Sequence, residues 1–223
     1  MENRVGNVAV VRWLSNALFP AFCVQCESEG HVLCPRCRLY WMAEPILERF
    51  SRQTRSVHGV FSMSPYPDAV VKGLLRRWKY HGEEKAGEML MTLLEETLQT
   101  YDQVLPAVDA VAFVPLHRVR RNERGFDQAE HVANTVSHVL KRPLVPVLAR
   151  VKKTTQQAKL ADDERARAID ASAFQFRREI AAIPAKVLLV DDVWTTGTTL
   201  RAAAQVLRQA GVQEVWAFTL ARG

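Results

Sequence analysis

The chain has 223 residues, of which 48% are hydrophobic and 24% are charged, with a formal net charge of +6. This composition is typical of a globular protein and excludes long disordered stretches, while the length allows one large domain or one domain with a small module. The positive charge favours an anionic partner, such as phosphate, a nucleotide or nucleic acid, without choosing among them.

The first predicted element is an amphipathic helix over residues 8–19. Arg12 and Pro20 interrupt its apolar run, whereas a membrane span needs about 20 nearly continuous apolar residues. Arg12 also lies in the middle of what would be the apolar region of a signal peptide. We therefore predict no membrane span and a cytoplasmic location. The helix is expected to dock on the body of the protein, and contact with a membrane surface is the weaker alternative.

All four cysteines lie in one short segment, as two Cys-x-x-Cys knuckles: Cys23, Cys26, Cys34 and Cys37. Two such knuckles offer the ligand set of a tetrahedral Zn²⁺ site. Because four protein ligands leave no position for water, the predicted zinc is structural, and it supplies folding free energy that so short a segment lacks. A pair of disulfides is the competing interpretation, but it needs an oxidising compartment. Whether this module contacts nucleic acid is left open.

Residues 38–55 are predicted to form a helix that ends in a polar linker. The linker sets the predicted boundary between a zinc module over residues 1–55 and a larger domain over residues 56–223. The larger domain begins with a strand over residues 57–63, and helices follow over residues 69–80 and 85–100, where apolar residues recur at helical spacing.

Strands and helices alternate in the rest of the chain. Strands are predicted over residues 108–116, 144–148, 187–193 and 214–220, with helices over residues 126–140 and 198–210. Such alternation predicts an α/β fold with a parallel sheet covered by helices on both faces. A polar stretch over residues 152–167 is predicted to be a mobile lid.

The most informative segment is Lys-Val-Leu-Leu-Val-Asp-Asp-Val-Trp-Thr-Thr-Gly-Thr-Thr-Leu, residues 186–200. Ligands of open α/β sheets bind at the carboxyl ends of strands, and N–H groups at a helix start attract phosphate. Here Asp191 and Asp192 end a strand, where they can accept hydrogen bonds from the 2′- and 3′-hydroxyls of a ribose. Glycine lets the backbone approach a phosphate, and threonine hydroxyls add donors. The predicted phosphate-binding residues are Thr195, Thr196, Gly197, Thr198 and Thr199.

Other phosphate motifs are absent from the sequence, which has neither Gly-x4-Gly-Lys-Ser/Thr nor Gly-x-Gly-x-x-Gly after a strand. A polar helix cap after an acidic strand end is the alternative without a ligand.

Basic residues follow the strand predicted over residues 108–116, at the same edge of the sheet. Guanidinium groups match phosphate oxygens bidentately, so this edge is predicted to bind pyrophosphate, and a solvated basic loop is the alternative. His117 is a weaker candidate for proton transfer. The pyrophosphate-binding candidates are His117, Arg118, Arg121 and Arg124, with Arg120 beside them.

A second basic cluster lies in the helix predicted over residues 69–80, where Arg76, Arg77 and Lys79 flank Trp78. Basic residues beside an aromatic ring can bind single-stranded nucleic acid. The alternative is that Trp78 belongs to the core and the charges form its solvated edge.

The segment over residues 186–200 resembles the signature of the type I phosphoribosyltransferases. The whole chain is similar to the ComF/GntX family, which joins a four-cysteine module to such a domain. We call residues 191–199 the phosphate loop. Besides the cysteines and this loop, the resemblance rests on Leu-Arg-Arg-Trp-Lys-Tyr at 75–80, Val-Pro-Leu-His at 114–117, Arg-Gly-Phe-Asp-Gln-Ala at 124–129, Gln-Gln-Ala-Lys-Leu at 156–160, Arg165 and Ala-Phe at 173–174. Asp127 and Asp170 depart from it, because Asn is more usual at both positions.

The resemblance implies a type I phosphoribosyltransferase fold with a parallel sheet flanked by helices, and a small zinc-ribbon-like N-terminal module. It implies binding of phosphoribosyl pyrophosphate, with the pyrophosphate loop running from Val114 to His117. It also implies a role in DNA uptake and natural transformation, with single-stranded DNA and DNA-uptake proteins as partners.

Two alternatives stay open. In an active phosphoribosyltransferase, Mg²⁺ would bridge the pyrophosphate and the ribose hydroxyls, and Asp191 with Asp192 would be catalytic by stabilising positive charge at C1. In a scaffold for DNA or protein binding, the fold would carry no catalysis.

Overall fold

The computed structural model describes residues 21–51, 56–152, 171–177 and 182–223. The predicted helix over residues 8–19, nearly all of the polar stretch after residue 152, and Asp170 lie outside the described residues. The helices are α1 (Pro35–Tyr40), α2 (Ala69–His81), α3 (Glu84–Tyr101), α4 (Arg118–Arg124), α5 (Gln128–Leu140) and α6 (Thr198–Gln209). The strands are β1 (Ile46–Arg49), β2 (Gly59–Pro65), β3 (Ala110–Phe113), β4 (Leu148–Arg150), β5 (Phe174–Phe176), β6 (Lys186–Trp194) and β7 (Glu214–Arg222).

The main sheet of the described residues contains five strands in the order β1-β2-β7-β6-β3. Strand β1 runs antiparallel to β2, and every other neighbouring pair is parallel. Successive side chains of a strand point to opposite faces, yet the run from Val187 to Val190 in β6 is completely buried. Helices cover both faces, with α6 against one and α5 against β3 and β6. The predicted α/β fold with a helix-flanked parallel sheet is confirmed.

The parallel arrangement brings the ends of β3 and β6 together. The two strands are neighbours, with Phe113 opposite Val190, and the Val114 N–H donates to the Val190 carbonyl at 2.9 Å. Because parallel strands end at the same edge, the residues that follow β3 and those that end β6 share one edge of the sheet.

The helix predicted over residues 38–55 is wrong. Helix α1 ends at Tyr40, and β1 follows as an edge strand in which half-buried and exposed residues alternate. Pro45 lies between the two elements. Proline has no N–H for a helical hydrogen bond and disfavours helical backbone in the residue before it, so a helix cannot continue through this position at low cost.

The strand predicted over residues 144–148 is only partly correct. Leu144 forms an isolated parallel bridge with Val111, and the strand itself, β4, begins at Leu148 and pairs antiparallel with β5 in a separate sheet. Pro143 and Pro146 interrupt the segment and have no N–H to donate to a ladder. Residues 118–124, for which the sequence predicts neither helix nor strand, form helix α4.

The chain divides into two compact units. One comprises the described residues up to Met42 together with Ala69–Leu90, and the other comprises Ala43–Asp68 and Met91–Gly223. In the first unit Gly73 of α2 lies against the side chain of Val24, and Arg77 of α2 donates to the Phe22 carbonyl. The predicted domain boundary between residues 55 and 56 stays a prediction. None of the helices described is long and apolar enough to cross a membrane.

Candidate ribose phosphate site and metal centre

The paired carboxylates lie near the end of β6. Asp191 is paired with Thr219 of β7, and both Asp191 and Asp192 are half-buried. The Asp192 N–H donates to Asp191 Oδ1 at 2.8 Å, which holds the Asp191 carboxyl against the backbone of the strand end. Partial exposure leaves carboxylate surface open to solvent at the edge where a ligand of this fold binds.

The turn after β6 joins a left-handed glycine to the start of α6. Gly197 is the N-cap of α6 with φ of 72°, in the left-handed region that favours glycine. Thr195 and Thr196 are exposed, and the hydroxyls of Thr196 and Thr198 are 2.8 Å apart. Because a glycine cap has no side chain, the N-cap supplies no side-chain acceptor to the first turn of this twelve-residue helix. The turn therefore brings hydroxyls and the positive end of a helix together.

The basic residues after β3 are divided by their contacts. His117 caps α4, accepting the Val119 N–H at Nδ1 over 3.3 Å. Arg121 donates to Glu130 at 2.8 Å, and Arg124 donates to the buried Gln128 at 3.0 Å. Those two guanidinium groups tie α4 to the start of α5. Arg118 is exposed and Arg120 is half-buried.

Arg150 is a charged residue near this site that the sequence did not reveal. It ends β4, its guanidinium lies 5.4 Å from the centre of the Phe174 ring, and it interacts electrostatically with Asp191, Asp127 and Arg120. Burial lowers the pKa of Arg150, and the Asp191 carboxylate opposes that shift. A guanidinium so placed adds positive charge to the electrostatic environment of Asp191. Its position in a separate hairpin gave no signal in the sequence.

The four cysteines form one cluster in the first unit. Their sulfur atoms all lie within 4.8 Å of one another, and Cys26 Sγ is 3.7 Å from Cys34 Sγ. A tetrahedral zinc site with Zn–S bonds of about 2.3 Å places its sulfurs about 3.8 Å apart. The Cys34 N–H donates to Cys23 Sγ at 3.4 Å, and the Cys37 N–H donates to Cys34 Sγ at 3.5 Å, which favours thiolates.

The thiols of the cluster also shift one another's pKa. The hydrogen bond from the Cys37 N–H lowers the pKa of Cys34 to about 6, whereas the bond to Cys26 raises the pKa of Cys37 to about 12. Adjacent thiolates repel one another, so some of these thiols retain protons unless a cation balances the charge. A four-cysteine set with this spacing fits Zn²⁺.

The chain is similar to known proteins over most of its length. The model of the phosphoribosyl transferase domain matches residues 114–223. Competence protein F of Haemophilus influenzae is 32% identical over 162 residues, which make up 67% of this chain and 66% of that protein. The chain belongs to the ComF family. It matches just under two thirds of the length of the Haemophilus protein.

Other ComF relatives match over more of the chain. Competence protein ComFC of Bacillus subtilis is 29% identical over 194 residues, 86% of this chain and 73% of that protein. The DNA utilization protein YhgH of Salmonella typhi is 28% identical over 205 residues, 90% of this chain and 88% of that protein. These two alignments therefore cover most of both proteins.

The ComF pattern leads us to expect Asn at position 127, and the structure shows which hydrogen bonds Asp accepts there. Asp127 is the N-cap of α5 and is 1% exposed. Its two carboxylate oxygens accept the N–H groups of Leu116 at 2.8 Å and Ala129 at 3.1 Å. Burial raises the pKa of Asp127, and the backbone hydrogen bonds oppose the shift. The side chain ties the segment after β3 to α5.

The second basic cluster of this ComF chain is arranged differently from the expectation. Trp78 is 5% exposed and lies against Gly87, so the alternative that it belongs to the core is confirmed. Arg77 is held by the Phe22 carbonyl and lies 3.8 Å from Glu83. Arg76 is exposed, and the exposed aromatic side chain in this part of α2 is Tyr80.

Proposed function

We propose that this chain binds phosphoribosyl pyrophosphate where β3 and β6 end. The observation that carries the proposal is the turn from β6 into α6. There a left-handed glycine, exposed threonine hydroxyls and the start of a twelve-residue helix adjoin two half-buried carboxylates. The turn suits the 5-phosphate, and Asp191 with Asp192 accepts hydrogen bonds from the ribose hydroxyls.

The pyrophosphate group is assigned to the neighbouring segment after β3. Arg118 and Arg120 supply positive charge there, and Arg150 adds a third guanidinium that interacts electrostatically with Asp191. Arg121 and Arg124 stabilise this segment without contacting the ligand, because their guanidinium groups donate hydrogen bonds to Glu130 and Gln128 of α5. The proposal thus keeps His117, Arg118, Arg121 and Arg124 as candidates but divides them between ligand contact and support.

Transfer of the phosphoribosyl group is a second candidate activity of the same site. Carboxylates such as Asp191 and Asp192 are ligands that suit Mg²⁺, which would neutralise charge on a departing pyrophosphate. In that reaction the two carboxylates stabilise positive charge that develops at C1 of the ribose. The half-burial of both residues favours this role, because electrostatic stabilisation strengthens as water is excluded.

The biological process that we assign is DNA uptake. Its support is the similarity to proteins named for competence and for DNA utilization. Weak binding of single-stranded DNA is assigned to α2 of the first unit, through Arg76 and Lys79. Tyr80, 67% exposed, replaces Trp78 as the aromatic residue on which a base stacks. The zinc that we propose for the four cysteines is structural.

Thermal unfolding of the full chain with increasing phosphoribosyl pyrophosphate, with and without Mg²⁺, tests the ligand. Binding to the native state alone raises the melting temperature by mass action, so the shift grows with concentration. We expect Asp191→Ala/Asp192→Ala to abolish the shift. The control is Glu214→Gln, at the opposite end of the β6–β7 pair, where Glu214 lies 3.9 Å from Lys186.

An unresponsive wild type would overturn the proposal. A double variant that responds like the wild type would place the ligand elsewhere. Release of pyrophosphate with candidate bases then separates transfer from binding alone.

A further inference from the structure

The residue beneath the phosphate loop is a tryptophan that touches the glycine directly. Trp194 ends β6 and is 2% exposed. A methyl group added at Gly197 would lie 2.3 Å from Cζ2 and 2.5 Å from Cε2 of this indole. Such distances are far below van der Waals contact, so the indole and the left-handed backbone at Gly197 fit together only without a side chain.

The indole is itself held by charged and aromatic neighbours. Two guanidinium groups lie over its ring, that of Arg201 at 5.4 Å and that of Arg222 at 5.8 Å from the centroid. The Phe50 ring is 5.7 Å away, and the Trp194 carbonyl accepts the Gly223 N–H at 2.9 Å. Cation–π contacts within about 6 Å are attractive, so these groups fix the ring and not merely the backbone.

The support extends to the edge of the sheet. Arg222 stands opposite Trp194 in the β6–β7 ladder, and its guanidinium forms an ion pair with Glu48 of the edge strand β1. Phe50 follows β1 directly. Strand β1 and the residue after it therefore hold the indole, Glu48 through Arg222 and Phe50 directly, although neither contributes to the turn itself.

We propose that Trp194 is the positioning residue of the phosphate loop, and that the Glu48–Arg222 pair sets its position from β1. This inference rests on the proposed function, since it assigns affinity for a ribose 5-phosphate ligand to groups that do not contact it. The indole sets how closely the backbone at Gly197 approaches a phosphate, and fixed donors bind without the entropy cost of ordering the loop.

The test is calorimetric titration of the full chain with phosphoribosyl pyrophosphate, which reports affinity apart from stability. Trp194→Phe removes the distal ring atoms and is expected to weaken binding by about tenfold, in line with the effect of supporting residues at other sites. Glu48→Gln is expected to weaken it by about threefold through Arg222. Glu214→Gln, which removes an ion pair between Lys186 of β6 and Glu214 of β7, is the matched control and should leave affinity unchanged.

A double-mutant cycle separates positioning from a general loss of stability. Gly197→Ala should reduce affinity more in the wild type than in Trp194→Phe, because the ring atoms that collide with the new methyl group are absent from phenylalanine. The remaining loss in that background reflects the positive φ at residue 197. A merely structural role of Trp194 would give the same cost of Gly197→Ala in both backgrounds.

The outcomes distinguish the two proposals. If the wild type does not bind phosphoribosyl pyrophosphate, the proposed function fails. If the wild type binds while Trp194→Phe and Glu48→Gln bind equally well, the positioning role is overturned. Should Trp194→Phe fail to fold, Glu48→Gln decides the matter, because Glu48 is 41% exposed and its substitution leaves the core intact.

Discussion

The cysteine cluster and the phosphate loop are both compact sites, but they are built in different ways. All ligands of the cluster come from residues 23–37, and two short turns bring the sulfurs together. The phosphate loop is also continuous, yet its carboxylates, its neighbouring arginines and the groups that hold Trp194 come from six separate strands and helices. A local site depends on spacing, whereas a site on a sheet depends on the whole packing around it.

The largest effect is expected at the local site. Replacing one ligand, as in Cys34→Ser, should remove the zinc and unfold the segment around it, because a structural metal supplies most of the folding free energy of so small a module. Elemental analysis and limited proteolysis measure this. Ser28→Ala is the control, since Ser28 Oγ lies 3.3 Å from Cys26 Sγ without belonging to the four-sulfur set.

A structural zinc at the four cysteines is ruled out if fresh wild-type protein holds no stoichiometric zinc. It is also ruled out if Cys34→Ser retains one zinc per chain and the protease resistance of the wild type.

The buried Asp127 tests how far the sheet site depends on the side chain that ties the segment after β3 to α5. In Asp127→Asn, one of the N–H groups of Leu116 and Ala129 loses its acceptor, at a cost of about 1–3 kcal/mol in the free energy of unfolding. Since burial raises the pKa of Asp127 in the folded state, the wild type binds this proton more tightly folded than unfolded. The contribution of the Asp127 carboxyl to the free energy of unfolding is therefore largest below the ordinary aspartate pKa. It falls as the pH rises through the pKa of this group in the folded state.

Urea unfolding of the two proteins across this pH range measures the effect. The difference in the free energy of unfolding between the wild type and Asp127→Asn should narrow as the pH rises. Any pH effect of the zinc centre drops out of this difference, because both proteins contain it. A difference that widens with pH would contradict the assignment. Asp109→Asn is the control, because exposed Asp109 also accepts a backbone N–H, from Lys186 at 2.8 Å.

The smallest effect is expected for DNA binding by the first unit. Arg76→Glu/Lys79→Glu should weaken binding of single-stranded DNA by roughly tenfold and make it less dependent on salt, because each phosphate neutralised contributes a log–log slope of about −0.7. Affinity is measured by fluorescence anisotropy from low to moderate salt, and the response to phosphoribosyl pyrophosphate should remain. Arg77 is left unchanged, since it binds the Phe22 carbonyl.

Absence of DNA binding in the wild type would leave an indirect role in DNA uptake. Binding that is insensitive to salt would point to stacking instead, and Tyr80→Ala would then test it, because Tyr80 is the exposed ring and Trp78 is buried.

The same contrast explains which parts of the molecule were predictable. The main helices and strands follow from apolar periodicity, and β6 differs from its prediction by one residue at each end. The region after α1 was predicted wrongly, because Ile46 to Arg49 acquire strand structure by pairing with β2, a partner that local sequence does not name. The sequence predicts no regular element for residues 118–124, where apolar content is low, yet they form a helix tied to α5.

The sequence by itself determined the cysteine ligand set, the carboxylate pair and the glycine turn, because each is encoded by spacing within about fifteen residues. Only the tertiary structure decided that Arg150 interacts electrostatically with Asp191 and that Arg121 and Arg124 tie α4 to α5. It also decided that Trp194 packs against Gly197 and that Arg222, which lies over the indole, pairs with Glu48. The interactions of Arg150 with Asp191 and of Arg222 with Glu48 join residues far apart in the chain, and the shorter-range contacts form only because packing brings those side chains together. Packing in a close-packed interior depends on which side chains the sheet brings together, and no local pattern records that choice.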